Sequence, residues 1–288
     1  MSAKGIIKAI LMNLNQKLLN LLLIVTNGAI YKILFNIISF LLVYKIKVLD
    51  NSQFHIKLKE KGVHNYLWIC YLNRINYYLD GIDHRLKHLV EEEYLFKNFE
   101  LSEDSIVFDI GANIGEIGVY LREIYNKKIE YHAFEASEFE YNACILNNNE
   151  KNDFINNYGI WNKSGKMQLY AKNKSGDSSL LKIEDCDSKT VINVDTIDNY
   201  VKRFNIKNIK LFKLEAEGGE PEVLEGAINT LPIIEFITAD LGYERGIENK
   251  QTFTSVTNFL LSRGFQLVDI NQLRLTALFR NKIFLDSS

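Results

Sequence analysis

The residues best suited to chemistry lie at the ends of three apolar runs. Lys213-Leu214-Glu215-Ala216-Glu217-Gly218-Gly219 sets a lysine and two glutamates between an apolar stretch and a segment with helical character. A partly desolvated carboxylate at a strand end can accept the proton of a hydroxyl, and Lys213 would orient its neighbour. The plainer reading leaves Glu217 as a helix cap and Lys213 as a salt-bridge partner. Val107 to Gly115 places Asp109 at a strand end and Gly111, Asn113 and Gly115 in the turn that follows. Glycine lets the backbone bend sharply and lets a ligand approach closely. The next apolar run, from Tyr131, ends in Glu135 about twenty residues past that turn, where a carboxylate can accept from both hydroxyls of a ribose. The glycine turn alone is shared with nicotinamide-dependent oxidoreductases. Together the two acidic ends point to a nucleoside ligand.

These groups need a parallel sheet beneath them. From Ser102 onward strand-like and helix-like segments alternate: Ser105 to Ile110, Gly115 to Tyr125, Ile129 to Ala136, Glu138 to Asn149. Phe154 to Trp161 reads as a third strand, and Met167 to Ala171 and Val191 to Val194 as short strands around a polar loop. Ile209 to Ala216 and Ile233 to Asp240 read as strong strands joined by a helix from Glu220 to Thr230, with Pro221 in its first turn. After a helix over Phe253 to Arg263, the strands Phe265 to Ile270 and Thr276 to Arg280 are separated by a turn too short for a parallel crossover, so they pair antiparallel. The expected fold is α/β, a Rossmann-like sheet of the class I methyltransferase kind, mostly parallel with a C-terminal antiparallel hairpin. A dinucleotide dehydrogenase usually lacks that hairpin.

The stretch from Lys213 through the Glu222-Val223-Leu224-Glu225-Gly226-Ala227 segment resembles the FkbM-type methyltransferases. So do the loop from Asp109 to Gly115, Gly176-Asp177-Ser178-Ser179-Leu180, and Val194-Asp195-Thr196-Ile197-Asp198. The resemblance covers about Ser102 to Ile283, and more loosely Arg74 to Tyr94. Glu215 stands where most of the family carries Asp. The resemblance implies S-adenosylmethionine as cofactor, bound by Asp109, Gly111, Asn113, Gly115, Glu135 and Ser178. It also implies O-methylation of a sugar hydroxyl in a surface glycan, glycolipid or related metabolite, with Glu215, Glu217 and Lys213 as the catalytic group. Asp240 to Gly246, after the fifth strand, falls on the acceptor side. Two other functions stay open: a nicotinamide-dependent oxidoreductase, and a non-catalytic, membrane-associated binding module that retains the fold.

Composition narrows the partners. A net charge of −2 gives no basic footprint for nucleic-acid phosphates. Three cysteines without a close pair argue against a disulfide framework or a cysteine zinc site and suit a reducing, cytoplasmic compartment. His84 and His88, four apart, could share a metal, but no third ligand is evident, so none is expected. Three regions are expected: 1–49, 50–101 and 102–288. Residues 1–49 form a basic-apolar helical prefix in which Lys4, Lys8, Lys17, Lys32, Lys45 and Lys47 punctuate apolar runs and no acid precedes Asp50. Neither run reaches the ~18–20 apolar residues of a spanning helix. The prefix either lies on the inner membrane face or packs on the protein. Residues 50–101 read as a helical lead-in without strands, and 102–288 as the catalytic domain.

Overall fold

Seven strands, in the spatial order Phe265–Asn271, Thr276–Asn281, Ile234–Asp240, Ile209–Leu214, Ile106–Ile110, Glu130–Phe134 and Asp153–Asn156, form the main sheet of the computed structural model, which describes residues 28–41, 44–51, 55–60, 66–125, 128–172 and 177–285. The chain divides into two compact units, Met1–Arg85 and Leu86–Ser288. The sequence reading drew its boundaries after residues 49 and 101 instead.

In the first unit α1 (Gly28–Leu41) is followed by β1 (Ile46–Asn51), β2 (Ile56–Glu60) and β3 (Tyr66–Ile69), an antiparallel sheet in the order β1-β2-β3. A 3-10 turn, Leu72–Tyr78, comes next, then α2 (Ile82–Lys87), within which the division falls. Helices are present as expected, but the strands correct the reading of a strand-free lead-in. Leu67 and Ile69 are buried while Tyr66 faces out, and Ile56, Leu58 and Glu60 are buried between less buried lysines. That is a period of two, which the helical spacing of Leu67, Trp68, Tyr71, Leu72 and Ile75 obscured. Glu60 closes this unit by accepting from the backbone N–H groups of Ile82 (2.8 Å) and Asp83 (3.1 Å).

In the second unit β4 (Ile106–Ile110), β5 (Glu130–Phe134), β6 (Asp153–Asn156), β11 (Ile209–Leu214) and β12 (Ile234–Asp240) run parallel. Their central members are apolar on both faces because helices cover both sides. β15 (Phe265–Asn271) and β16 (Thr276–Asn281) form the antiparallel hairpin, with β16 also antiparallel to β12. The helices are α3 (Glu116–Tyr125), α4 (Glu138–Asn147), α5 (Ile197–Phe204), α6 (Glu220–Glu225) and α7 (Phe253–Ser262). Thr196 caps α5 by accepting from the N–H of Asn199, and α6 stops at Gly226, short of the expected Thr230.

The expected third strand divides. Asp153–Asn156 stays in the main sheet, while β7 (Gly159–Ile160) pairs with β10 (Ser188–Asp195) in a second sheet of order β7-β10-β8-β9, completed by β8 (Gly165–Ala171) and β9 (Ser178–Ser179). A small ribbon, β13 (Tyr243–Arg245) with β14 (Lys250–Gln251), follows β12. Phe108, Phe134, Tyr200 and Phe212 interlock at the centre of the core, each burial contributing roughly 1.5–3 kcal/mol. His132 is a satisfied core residue: Nδ1 lies 2.8 Å from the Tyr200 hydroxyl and Nε2 2.8 Å from Glu130.

Candidate active site

β11 lies between β4 and β12, in register so that Lys213 faces Asp109 on one side and Thr238 on the other. Lys213 is almost fully buried. Its Nζ sits 3.0 Å from Asp109 Oδ1 and 3.2 Å from Glu215 Oε2, and it donates to the carbonyls of Gly111 (2.6 Å) and Ile110 (3.2 Å). Burial favours loss of the proton, but Asp109 and Glu215 outweigh it and hold the ammonium charge above its ordinary range. Asp109 Oδ2 accepts from the Tyr131 hydroxyl (2.6 Å). Asp109 is thus committed to Tyr131 of β5 and Lys213 of β11 and braces the glycine turn from beneath.

Glu215 is committed as well. Its Oε1 accepts from Arg274 Nη2 (2.9 Å), and its Oε2 accepts from the Tyr94 hydroxyl and from Lys213. Arg274 also binds Asp240 and Glu93, and its guanidinium and the Lys213 ammonium both lie near the Tyr94 ring. Burial raises the Glu215 pKa, but Lys213, Arg274 and Tyr94 overcome it and bring the carboxyl down to about 2. A carboxylate so stabilised is a weak proton acceptor at neutral pH.

Glu217 has the opposite environment. It sits at the tip of the turn after β11 with φ +48°, a left-handed conformation that glycine or asparagine adopts more readily. Three contacts fix the tip. Ser179 Oγ donates to the Glu217 carbonyl (2.8 Å); Glu220 accepts from the N–H groups of Ala216 (2.9 Å) and Gly218 (3.1 Å); and Thr252 Oγ1 holds the other Glu220 oxygen (2.9 Å). Gly218 packs against the Arg245 backbone where a Cβ would overlap it, and the Arg245 guanidinium donates to the Gly218 carbonyl (2.6 Å) and to Glu222. The tip and β13 are therefore clamped together, which brings Glu244 near Glu217. Burial first, then the charges of Glu244, Glu215, Asp177 and Glu220, push the Glu217 carboxyl well above the carboxylate range. Burial, then Glu215, Asp240 and Glu220, push Glu244 up to about 8 against the pull of Arg274.

The glycine turn contributes a close approach. At Gly111, φ +70°, a Cβ would overlap the carbonyl oxygen of Glu215. Asn113, φ +51°, donates its N–H to Glu135 Oε2 (2.8 Å), and the Ser137 N–H donates to Oε1 (2.8 Å). Each Glu135 oxygen keeps a lone pair free of those bonds. Burial, then Glu140, raises Glu135 to about 7 against the two N–H donors and Lys213. Gly115 answers to packing: a Cβ would overlap the side chains of Asn148 and Cys144 on the α4 side. Ser178 is half-buried in β9 opposite Ala171, and its neighbour Ser179 makes the bond to the Glu217 turn. Gly176 lies outside the described residues.

The structure thus brings Asp109, Lys213, Glu215 and the Gly111 carbonyl into one cluster and places Glu217 beside it on the turn. Sequence reasoning missed Tyr94, Arg274 and Glu220 as members of this site. Tyr94 and Arg274 arrive from 121 and 59 residues away from Glu215, and no local pattern announces them. Glu220 follows Gly218-Gly219 at the first turn of α6, a position where a carboxylate binds free N–H groups, and could have been read. Beyond Arg274 opens a cleft of about 1360 Å³ lined by Glu92, Lys97, Asp240, Tyr243, Glu244 and Asn271 among others. Among the described residues no group of three or more His, Cys, Asp or Glu is arranged to hold a metal.

The family model of the methyltransferase FkbM domain matches residues 109–267. No curated protein matches the chain. Among solved structures, an FkbM methyltransferase from Methylobacillus flagellatus KT is 15% identical with a TM-score of 0.47, over 73% of this chain and 54% of that one, so the chain spans about half of its length. A SAM-dependent methyltransferase from Aquifex aeolicus is 14% identical with a TM-score of 0.41, over 67% of this chain and 90% of that one. The family match, over more than half of the sequence and across the glycine turn and the β11 end, settles the matter: the chain belongs to the FkbM methyltransferase family.

Proposed function

We propose that this methyltransferase transfers its methyl group to a hydroxyl of a sugar, with Glu217 as the general base. The observation that supports this most directly is the contrast between two neighbouring carboxyls. Glu215 is pinned as an anion by Lys213, Arg274 and Tyr94, whereas Glu217 is held on a strained turn with a raised proton affinity. A base works best when its pKa approaches the working pH.

When bound, S-adenosylmethionine supplies a methyl carbon on a positively charged sulfur. Glu135 would accept from its ribose hydroxyls, and the bare backbone of Gly111 lets the glycine turn lie against the Glu215 carbonyl at the β11 end. Glu217 would take the acceptor hydroxyl's proton as the bound donor supplies its methyl group to that oxygen. Lys213 and Asp109 act by position, fixing the Gly111 and Ile110 carbonyls and Glu215 relative to each other. The acceptor reading draws on the cleft: its charged and amide side chains and the exposed Tyr243 ring suit a polyhydroxylated ligand better than an apolar one.

Purified protein given methyl-labelled S-adenosylmethionine and oligosaccharide acceptors is expected to yield label that survives alkali, as a methyl ether does. Label released by alkali as methanol would mean a carboxylate acceptor and defeat the hydroxyl reading. Calorimetry checks the cofactor side. Glu135→Ala is expected to weaken binding of S-adenosylhomocysteine by roughly 10-fold or more, the loss of charge-assisted hydrogen bonds of ~1.5–3 kcal/mol. Unchanged affinity would remove Glu135 from the cofactor site.

A further inference from the structure

One face of α1 is apolar and open. The helix buries Tyr31 and Phe35 and is tied to β1 by polar side chains. Asn36 Nδ2 donates to the Val48 carbonyl (2.9 Å), the Val48 N–H donates back to Asn36 Oδ1 (2.8 Å), and Ser39 Oγ donates to the Ile46 carbonyl (2.5 Å). The opposite side presents Ile30, Ile33, Ile37 and Phe40 at helical spacing, with 48%, 61%, 51% and 77% of their surface exposed. Isolated apolar side chains on a surface are ordinary, but an aligned row marks a contact.

Charge identifies what that contact is. Residues 1–49 carry six lysines and no aspartate or glutamate, although the whole chain has a net charge of −2. Lys45 and Lys47, just past the end of α1, are exposed. A second copy of the chain would set this positive segment against its like. An anionic lipid surface accepts both the apolar row and the lysines. With 14 residues α1 is ~21 Å long, less than the ~30 Å hydrocarbon core, and no helix among the described residues is long and apolar enough to cross a membrane.

We propose that α1 lies in the plane of an anionic bilayer, with Ile30, Ile33, Ile37 and Phe40 among the acyl chains and Lys45 and Lys47 at the headgroups. The contact is independent of the acceptor and of the base assignment.

The test is co-sedimentation of the full chain with vesicles of phosphatidylcholine alone and of phosphatidylcholine mixed with phosphatidylserine. Binding is expected to be roughly tenfold stronger or more on the anionic vesicles. It should weaken as salt rises from ~0.1 M to ~1 M and the screening length falls from about 10 Å to about 3 Å. The double variant Ile37→Glu, Phe40→Glu should lose that binding while keeping its circular dichroism and its affinity for S-adenosylhomocysteine, because both side chains point away from the fold. Lys45→Glu with Lys47→Glu should reduce binding and flatten the salt dependence. No sedimentation with anionic vesicles, equal binding to neutral ones, or full binding by the Ile37/Phe40 variant would overturn the proposal. So would a variant that alters melting temperature or oligomeric state while vesicle binding stays the same, since protein would then be what covers the face.

Discussion

Glu217→Gln is expected to lower turnover by roughly 10²–10⁴-fold, the usual contribution of a positioned general base, while S-adenosylhomocysteine binds with unchanged affinity. The substitution keeps the size of the side chain and removes only its ability to take a proton. Stability should not fall, because the native carboxyl is a burden: desolvation and the charges of Glu244, Glu215, Asp177 and Glu220 all disfavour its anion. Glu217→Gly sharpens the test. Glycine tolerates φ +48° without strain, so this variant should melt no lower than the native protein and yet be as inactive as Glu217→Gln. A residue kept only to cap the next helix would show the reverse, near-native turnover with altered melting.

The pH profile separates Glu217 from its neighbour. Turnover should rise with pH as the Glu217–Glu244 pair loses protons, with apparent pKa values that belong to the pair. Glu244→Gln removes one like charge, so the acid limb should move to lower pH with a modest change in its plateau. An acid limb that stays in place would detach Glu244 from the base. Folding stability follows the same titrations. Glu244 at about 8 and Glu135 at about 7 stand above the usual glutamate value of 4.5. Their contribution is therefore fully present below pH 4.5 and is lost as pH rises through 7 to 8.

Much of the site was legible because its strands are local. The apolar runs ending in Asp109, Glu135 and Glu215 are short, those at Asp109 and Glu215 are followed closely by glycines, and the tight turn before Thr276 settles the antiparallel hairpin without knowledge of its neighbours. What escaped depends on tertiary contact. Glu215 and Glu217 are two residues apart and look equivalent in sequence. Their separation into a fixed anion and a proton acceptor comes from Arg274 on the hairpin loop and Tyr94 ahead of β4, neither placed by periodicity. Asp109 and Gly115, read from the sequence as cofactor residues, face protein partners in the fold, Lys213 and Tyr131 for one, Asn148 and Cys144 for the other. A residue pattern reports that a position is constrained; only packing says whether a ligand or a neighbouring helix constrains it.

Lys213→Ala is expected to cost roughly 3–5 kcal/mol, the penalty for removing one member of a buried ion pair and leaving the other uncompensated. In a unit of about 200 residues that is a fall of roughly 6–20 °C in melting temperature, at ~2–4 °C per kcal/mol. Asp109 is left facing a cavity with only the Tyr131 hydroxyl, and the Gly111 carbonyl loses the Lys213 donor, while the Ile110 carbonyl keeps the Glu215 N–H. Lys213→Met fills the space but not the charge, so adding Asp109→Asn to it should recover part of the loss, a non-additivity that a double-mutant cycle measures directly. Acid unfolding gives a second readout. The Glu215 carboxyl is at about 2 in the folded state against 4.5 ordinarily, so its contribution is present above pH 4.5 and is lost as pH falls through that interval toward 2. Without Lys213 only Arg274 and Tyr94 hold the anion, and the acid-dependent part of the stability curve should shrink. A loss below ~1 kcal/mol, with additive double variants, would show that the buried lysine is not the keystone that its four partners indicate.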